Sequence, residues 1–293
     1  MNNILVTGAN GFIGNKLCET LKDRNYLVTE AVKRGLASNE EKTSRRFVGN
    51  IDENTNWSKY LDGIDCIIHC AARTHIMKEN TKNLLSQYRE INVKGTCNLA
   101  EQAVIAGVKK FIFISSIKVN GEKTVGTNFF KHNDYPKPED PYAISKWEAE
   151  KKIMKLASDN FTVSALRAST VFGPSPRFRS DIVFNNLMSS AFTSKSIIIK
   201  SDGSPWRPVI HVDDVCDAYL NSITIDKNKI NRQAYNIGIK NGNYQIKDMA
   251  NVANMIIKDC RIKYSNEHGN DSRTYKVSFD KIHKSFSENY QTK

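Results

Sequence analysis

The chain has 293 residues, which suits one large domain or two intertwined small ones, because single hydrophobic cores stop growing near ~250–300 residues. With 40% apolar and 25% charged residues, 15 Gly and 7 Pro, it is neither collagen-like nor disordered in composition. Lys and Arg outnumber Asp and Glu 43 to 31, a net charge of +12. The densest cations, Lys33-Arg34, Arg45-Arg46, Lys109-Lys110 and Lys151-Lys152, are nevertheless pairs rather than blocks. They fit a small phosphorylated ligand better than a nucleic acid.

No run approaches the ~18–20 apolar residues of a membrane helix. The first residues enter a strand-like segment with no basic-then-apolar leader, so the expectation is a cytoplasmic protein off the membrane. Six cysteines (Cys18, Cys66, Cys70, Cys97, Cys216 and Cys260) have no CxxC pair and no disulfide-framework spacing. Buried free thiols are expected. No His/Cys/Asp set has metal-ligand spacing, so no metal is expected.

In chain order, strand-like runs are expected at Asn3–Thr7, Leu27–Val32, Arg46–Val48, Cys66–His69, Lys110–Ser115, Thr162–Arg167 and Ala234–Ile237. Helix-period segments fall at Phe12–Lys22, Leu84–Ala106, Pro141–Ala157, Ile182–Phe192, Val212–Ile223 and Ile246–Ile257. This alternation predicts an α/β fold, a doubly wound parallel sheet of Rossmann type with a smaller α/β substrate lobe. The first lobe is expected over 1–167, with 207–238 returning to it, and the second over 168–206 and 239–293. The stretch Asn120–Glu139, poor in apolar anchors, reads as a loop over the carboxyl edge of the sheet.

Two constellations carry chemistry. Gly8, Gly11 and Gly14 form a GxxGxxG turn between the first strand and the first helix. That placement suits a tight turn, close approach of a pyrophosphate to backbone, and close helix–strand packing, with the diphosphate at the helix amino end. Enzymes that use NAD place an acidic residue at the end of the second strand to hold the adenosine ribose. Here that position is Val32, followed by the cations Lys33 and Arg34, while Glu30 comes too early or points away. NADP(H) is therefore favoured over NAD(H), which stays possible. The plain alternative is that Lys33 and Arg34 are solvated loop charges.

The second constellation is Tyr142-Ala143-Ile144-Ser145-Lys146 opening a helix, with Ser115-Ser116 ending an earlier strand. Tyr142 and Lys146, at i and i+4, share a helix face. A nearby ammonium and a positive nicotinamide would draw the phenol down from ~10 toward the range of a general acid/base. Ser116 could then hold the reacting oxygen or relay its proton. His69 reads as a buried strand-end residue, and His211 as structural, with Asp213-Asp214 capping the next helix. Asn92 either orders the active site by hydrogen bonding or simply sits in a long helix.

With these pieces the chain resembles the extended short-chain dehydrogenases/reductases, the NAD(P)-dependent epimerases and dehydratases of nucleotide sugars. Matching stretches are Thr7–Gly14, His69–Ala72, Asn92–Thr96, Ser115–Glu122, Tyr142–Lys146, Trp206–Val215 and Tyr235–Gly238. The resemblance implies a homodimer and hydride exchange at a sugar carbon, usually C4. Tyr142 would exchange the hydroxyl proton, Lys146 bind the nicotinamide ribose, and Ser116 assist. It extends the cofactor site to Asn10, Phe12, Ile13, Asn50, Ile51, Ala71, Ala72, Arg73 and Asn92. It puts Lys118, Thr170, Asn186, Arg207 and Asp271 on the nucleotide-diphospho-sugar.

Departures from the family pattern narrow the expected reaction. Sugar 4,6-dehydratases carry an Asp-Glu pair after the hydroxyl residue, where this chain has Ile117 and Lys118. Galactose-type 4-epimerases usually keep an acid at the Val32 position and Asn at the Thr170 position. The resulting expectation is a 4-ketoreductase of a 4-keto-deoxysugar nucleotide that consumes NADPH. A narrower similarity, carried by Ala71–Met77 and the two central stretches, is to UDP-glucose 4-epimerase-like enzymes of surface-polysaccharide synthesis. The alternatives are a nucleotide-sugar 4-epimerase and a non-catalytic NADP(H)-sensing Rossmann protein. The retained Tyr142, Lys146 and Ser116 weigh against the last.

Overall fold

The computed structural model describes residues 2–33, 44–74, 83–265, 273–286 and 290. Arg34, Asp271 and the His75–Met77 part of the narrower similarity lie outside these residues. The chain opens with β1 (Asn3–Thr7), α1 (Phe12–Asp23), β2 (Leu27–Val32), β3 (Arg45–Phe47), α2 (Ser58–Leu61) and β4 (Cys66–His69). There follow α3 (Leu84–Arg89), α4 (Thr96–Ile105), β5 (Lys110–Ser116), α5 (Pro141–Ile153) and β6 (Thr162–Ala168). The near-continuous apolar runs of β1, β4, β5 and β6 are those of strands buried on both faces.

Beyond β6 come β7 (Thr170–Phe172), α6 (Val183–Ser194), β8 (Ser196–Ile199), β9 (Trp206–His211), α7 (Val212–Thr224) and α8 (Lys227–Ile230). The remainder is β10 (Gln233–Ile237), β11 (Asn243–Gln245), α9 (Ile246–Ile256), β12 (Arg261–Tyr264) and α10 (Asp280–Ser285). Seven parallel strands form the main sheet in the order β10-β6-β5-β4-β1-β2-β3. Strand order reverses between β1 and β4, the switch point where such sheets open a crevice at their carboxyl ends.

Each sheet face has its own core. One packs Leu17 and Leu21 of α1 and Val215 and Tyr219 of α7 against Ile4, Val6 and Ile68. The other packs Leu99 and Ala103 of α4 and Ala149 and Ile153 of α5 against Leu5, Ile67 and Phe111. A third core, with Leu187 of α6, Ile197 and Ile199 of β8 and Met249 of α9, lies among the elements after β7. There β7, β9 and β11 form a small sheet, and β8 pairs with β12. Within 207–238, β9 thus joins the small sheet while β10 joins the main one.

The segment expected as one helix over 84–106 is interrupted by a π-helical turn at Glu90–Gly95. A π turn is a rare insertion that tends to mark functional positions. Gly95 lies at its end, where a Cβ would press on Ile51. The short strands β7, β8, β9, β11 and β12 were not among the expected elements. They pair in small sheets whose brief segments carry too little periodicity to stand out.

Candidate active site

The carboxyl ends of β1, β4, β5 and β6 open into a cleft of about 1160 Å³ that continues between the two parts of the chain. This exceeds the ~300–1,000 Å³ of a single-ligand pocket, so two ligands fit end to end. The cleft wall includes Gly8, Asn10, Gly11, Phe12, Ile13, Gly14, Lys33, Asn50, Ile51, Ala71, Ala72 and Arg73. It also includes Ser116, Lys118, Tyr142, Thr170, Asn186 and Arg207. Asn92 and Lys146 act from behind the wall and are buried, at 1% exposure each.

At the glycine turn, Gly8 has φ of +66°, a conformation L side chains rarely adopt, and its missing Cβ faces the Ala71 backbone at 2.9 Å. Gly14 packs directly on the Gly8 carbonyl. The amino end of α1 has Gly11 as its cap with no side-chain hydrogen bond, which leaves backbone N–H groups for an anion. Such a cradle, formed by missing side chains against a helix start, fits a dinucleotide diphosphate.

The second strand bears on the choice of dinucleotide. Glu30 is buried on the face away from the cleft, where Lys22 and Arg45 (2.9 Å) both pair with it. Burial pushes its carboxyl up, but these two cations hold it below the usual range. Its charge is thus engaged by Lys22 and Arg45, and it is not among the residues that line the cleft. Lys33, the residue after β2, is exposed on the cleft wall.

His69 is fully buried between Thr7 and Thr96, 2.7 Å from Thr7 Oγ1 and 2.9 Å from Thr96 Oγ1. Thr7 Oγ1 also accepts the Ala71 N–H at 3.2 Å. The imidazole thus staples the turn after β4 to β1, and burial pulls its pKa down to about 3, so it stays neutral. Asn92 clamps the next residue of that turn. Its Oδ1 accepts the Arg73 N–H at 2.7 Å and its Nδ2 donates to the Arg73 carbonyl at 3.0 Å.

Asn92 Nδ2 also donates to Ser145 Oγ at 3.0 Å, and that hydroxyl donates to the Tyr142 carbonyl at 2.7 Å. Of the two roles open to Asn92, the geometry shows the ordering one. The π turn carries its amide into position between the turn after β4 and α5. Ser145, not singled out from sequence, is the intermediary.

Helix α5 begins where Asp140 accepts the Ala143 N–H at 2.7 Å and Pro141 takes the first position. This brings Tyr142 to the cleft wall beside Ser116 at the end of β5. By the chain's own groups, burial pushes the phenol up to about 12, with Asp140 adding to the rise and Arg179 and Ser116 opposing it. Lys146 lies 4.2 Å above the Phe113 ring, and burial pulls its pKa down to about 7. One turn further along α5, Glu150 pairs with Arg167 at 2.8 Å and accepts the Ser115 hydroxyl, which fixes β5, β6 and α5 together.

Segments after β6 add cations to the cleft wall: Arg177, Arg179, Lys200, Arg207 and Arg273. Arg207 donates to the Trp206 and Arg273 carbonyls and lies 5.7 Å from the Tyr275 ring. Arg179 forms a two-pronged pair with Asp181 at 2.6 Å for both contacts. Of these five only Arg207 was expected from sequence, because cations in irregular segments look like any solvated charge. Asn186 reaches the wall while its neighbour Asn185 is buried and accepts the Gly173 N–H. His211 itself caps α7 by accepting the Asp213 N–H at 3.3 Å, which corrects the expectation that the acidic pair does so.

Among the described residues, no helix is long and apolar enough to cross a membrane. Among the same residues, no group of three or more His, Cys, Asp or Glu side chains is placed to hold a metal ion.

Comparison with known proteins agrees with this arrangement. The model of the NAD dependent epimerase/dehydratase family matches residues 4–238. A UDP-glucose 4-epimerase of Vibrio cholerae is 44% identical over 173 residues, 58% of this chain and 52% of that protein. The chain thus spans about half the length of that relative. The dTDP-D-glucose 4,6-dehydratase of Homo sapiens is 26% identical over 301 residues, 96% of this chain and 83% of the relative. Among solved structures, a UDP-glucuronic acid 4-epimerase from Bacillus cereus, in complex with UDP-glucuronic acid and NAD, superposes with a TM-score of 0.80. It is 26% identical, and the match covers 99% of this chain and 94% of that one.

Proposed function

The chain belongs to the NAD dependent epimerase/dehydratase family, and from that membership we propose that it is an NAD(P)-dependent oxidoreductase acting at C4 of a nucleotide-linked hexose, in the 4-ketoreductase direction. The observation that carries this reading is that Tyr142 and Ser116, with buried Lys146 behind them, share one cleft with the glycine cradle and with cations from the later segments of the chain. The turn at Gly8, Gly11 and Gly14 would hold a dinucleotide, which would supply the hydride when bound. Tyr142 exchanges the proton at the sugar C4 oxygen, and Ser116 orients that oxygen. Lys146 holds the nicotinamide-side ribose, where its ammonium favours the ionised phenol. Arg207, with Arg177, Arg179, Lys200 and Arg273 beside it, suits the diphosphate of the sugar nucleotide, since guanidinium forks match phosphate oxygens. Ile117 and Lys118, where a water-eliminating enzyme needs acids, support redox without dehydration.

NADP(H) is the favoured cofactor because Glu30 is held by Lys22 and Arg45, while Lys33 faces the adenosine end of the cleft. A second reading, a 4-epimerase that retains NAD, is favoured by the 44% identity to the Vibrio cholerae epimerase. It is favoured also by the NAD in the Bacillus cereus structure. The test is to purify the protein without added nucleotide, denature it, and identify what is released. The emptied protein is then offered a nucleotide-linked 4-keto-6-deoxyhexose with NADPH or NADH. An empty protein that oxidises NADPH in preference to NADH supports the reductase. Stoichiometric released NAD with interconversion of UDP-glucose and UDP-galactose supports the epimerase and overturns the reductase. No turnover of any nucleotide sugar overturns both.

A further inference from the structure

Lys118 was expected on the substrate, and it does line the cleft. Its ammonium, however, is engaged. It pairs with Asp140, and with Glu122 at 2.9 Å, and Glu122 in turn lies 4.0 Å from Arg273. Burial pulls the Lys118 pKa down, but the two carboxylates more than offset that and keep it charged.

The pairing closes a ring. Ser116 Oγ accepts the Lys118 N–H at 3.3 Å, which starts a 3₁₀ turn over Ile117–Asn120. Lys118 reaches across to Asp140 Oδ2, and Asp140 Oδ1 caps α5 through the Ala143 N–H. Two residues after Asp140, Tyr142 lies in the same cleft wall as Ser116.

We propose that Lys118 is a positioning residue: it fastens the turn bearing Ser116 to the cap of the helix bearing Tyr142, and it offsets the Asp140 carboxylate beside the phenol. Without its ammonium, Asp140 would lose its ion pair with the turn, and the ring would lose the link that ties the 3₁₀ turn to the cap of α5. A lysine suits this task because a compact ammonium can serve two carboxylates on different segments at once.

The charged and titratable groups that act on Tyr142 are Asp140 at the cap of its own helix, Ser116 at the end of β5, Arg179 with its partner Asp181 from the loop after β7, Tyr88 of α3 at 6.2 Å between rings, and Tyr219 of α7. Lys118 bears on the phenol through its pair with Asp140. Neutralising Lys118 or Asp140 therefore moves the phenol in opposite directions. Losing the cation disfavours phenolate, and losing the carboxylate favours it.

The test uses Lys118→Met, Lys118→Arg and Asp140→Asn, the last because Asn still caps a helix well. Each protein is saturated with oxidised cofactor, and its tyrosinate absorbance is followed with pH after subtracting the matching Tyr142→Phe protein. Half-ionisation should rise by about half a pH unit or more in Lys118→Met and fall in Asp140→Asn, with Lys118→Arg close to the parent. Coincidence of Lys118→Met with the parent, equal shifts in Lys118→Met and Lys118→Arg, or no ionisation in any of them would overturn the proposal.

A kinetic arm rests on the C4 oxidoreductase reading. There Lys118→Met should lower kcat about tenfold and leave KM for the nucleotide sugar within about twofold. A raised KM with unchanged kcat would return Lys118 to substrate binding and overturn the proposal. Absence of nucleotide-sugar turnover in the parent protein, with the expected order of titrations intact, would instead sink the functional reading and leave this role of Lys118 standing.

Discussion

Lys146 is a buried cation whose cost to the fold can be measured directly. It is 1% exposed, its ammonium sits 4.2 Å over the Phe113 ring, and burial brings its pKa from the ordinary 10.5 to about 7. A tenfold change in proton affinity is worth about 1.4 kcal/mol, so this displacement sets a ceiling of about 5 kcal/mol on the penalty. The folded protein holds this proton less tightly than the unfolded chain. The penalty is therefore complete below pH of about 7 and fades as pH rises toward 10.5. Lys146→Met keeps the length of the side chain without the charge. It should make the cofactor-free protein more stable than the parent at pH ~7, by about 2–4 kcal/mol once imperfect packing of the thioether is allowed for. The advantage should shrink by up to about 1.4 kcal/mol per pH unit as the pH is raised to ~9. Urea unfolding of both proteins across that range, with nucleotide removed, reads the difference. A variant less stable than the parent at neutral pH, or a gap that does not change with pH, would refute the reasoning. The same substitution should also abolish turnover, so that catalysis and stability move in opposite directions at one residue.

Tyr142→Phe removes the hydroxyl to which the proposed function gives the proton exchange. It should lower kcat by about 10²–10⁴-fold while cofactor affinity, read by fluorescence titration, stays near that of the parent. Lys33→Glu should turn the cleft against a 2′-phosphate, so that the ratio of NADPH to NADH efficiency in kcat/KM falls by about tenfold or more. Asn92→Leu leaves the Arg73 N–H and carbonyl without their partner and should cost about 1–3 kcal/mol in thermal or urea unfolding. KM for the dinucleotide should rise with it. Glu150→Gln strips the charge that Arg167 pairs with in the core, and about 3–5 kcal/mol of stability should go with it in urea unfolding.

How far the sequence revealed this molecule depended on whether a residue acts through a repeating pattern or through a single encounter. Apolar runs such as Ile4–Val6, Cys66–Ile68 and Phe111–Ile114 read directly as buried parallel strands, and the winding of the main sheet follows from them. Gly8 and Gly14 were legible because backbone geometry permits little else at those points. Tyr142 and Lys146 were legible because helix spacing alone puts them on one face. The π turn was not, since the periodicity of Leu84–Ala106 is compatible with an unbroken helix, and the bonds that Asn92 makes from it to Arg73 and Ser145 leave no mark on that periodicity. Nor were the cleft-wall cations, since Arg177 and Arg179 of one loop meet Lys200 and Arg273 of two others with no shared spacing. Lys118 shows the same principle at one residue. Beside Ser116 in the chain it reads as a ligand-facing cation, and only the arrival of Asp140, 22 residues later, reveals what its charge touches. Side chains whose partners lie within a helical turn or a strand pair can be assigned from sequence. Those whose partners come from other elements, as Lys118 meets Asp140 and Asn92 meets Arg73 and Ser145, need the fold.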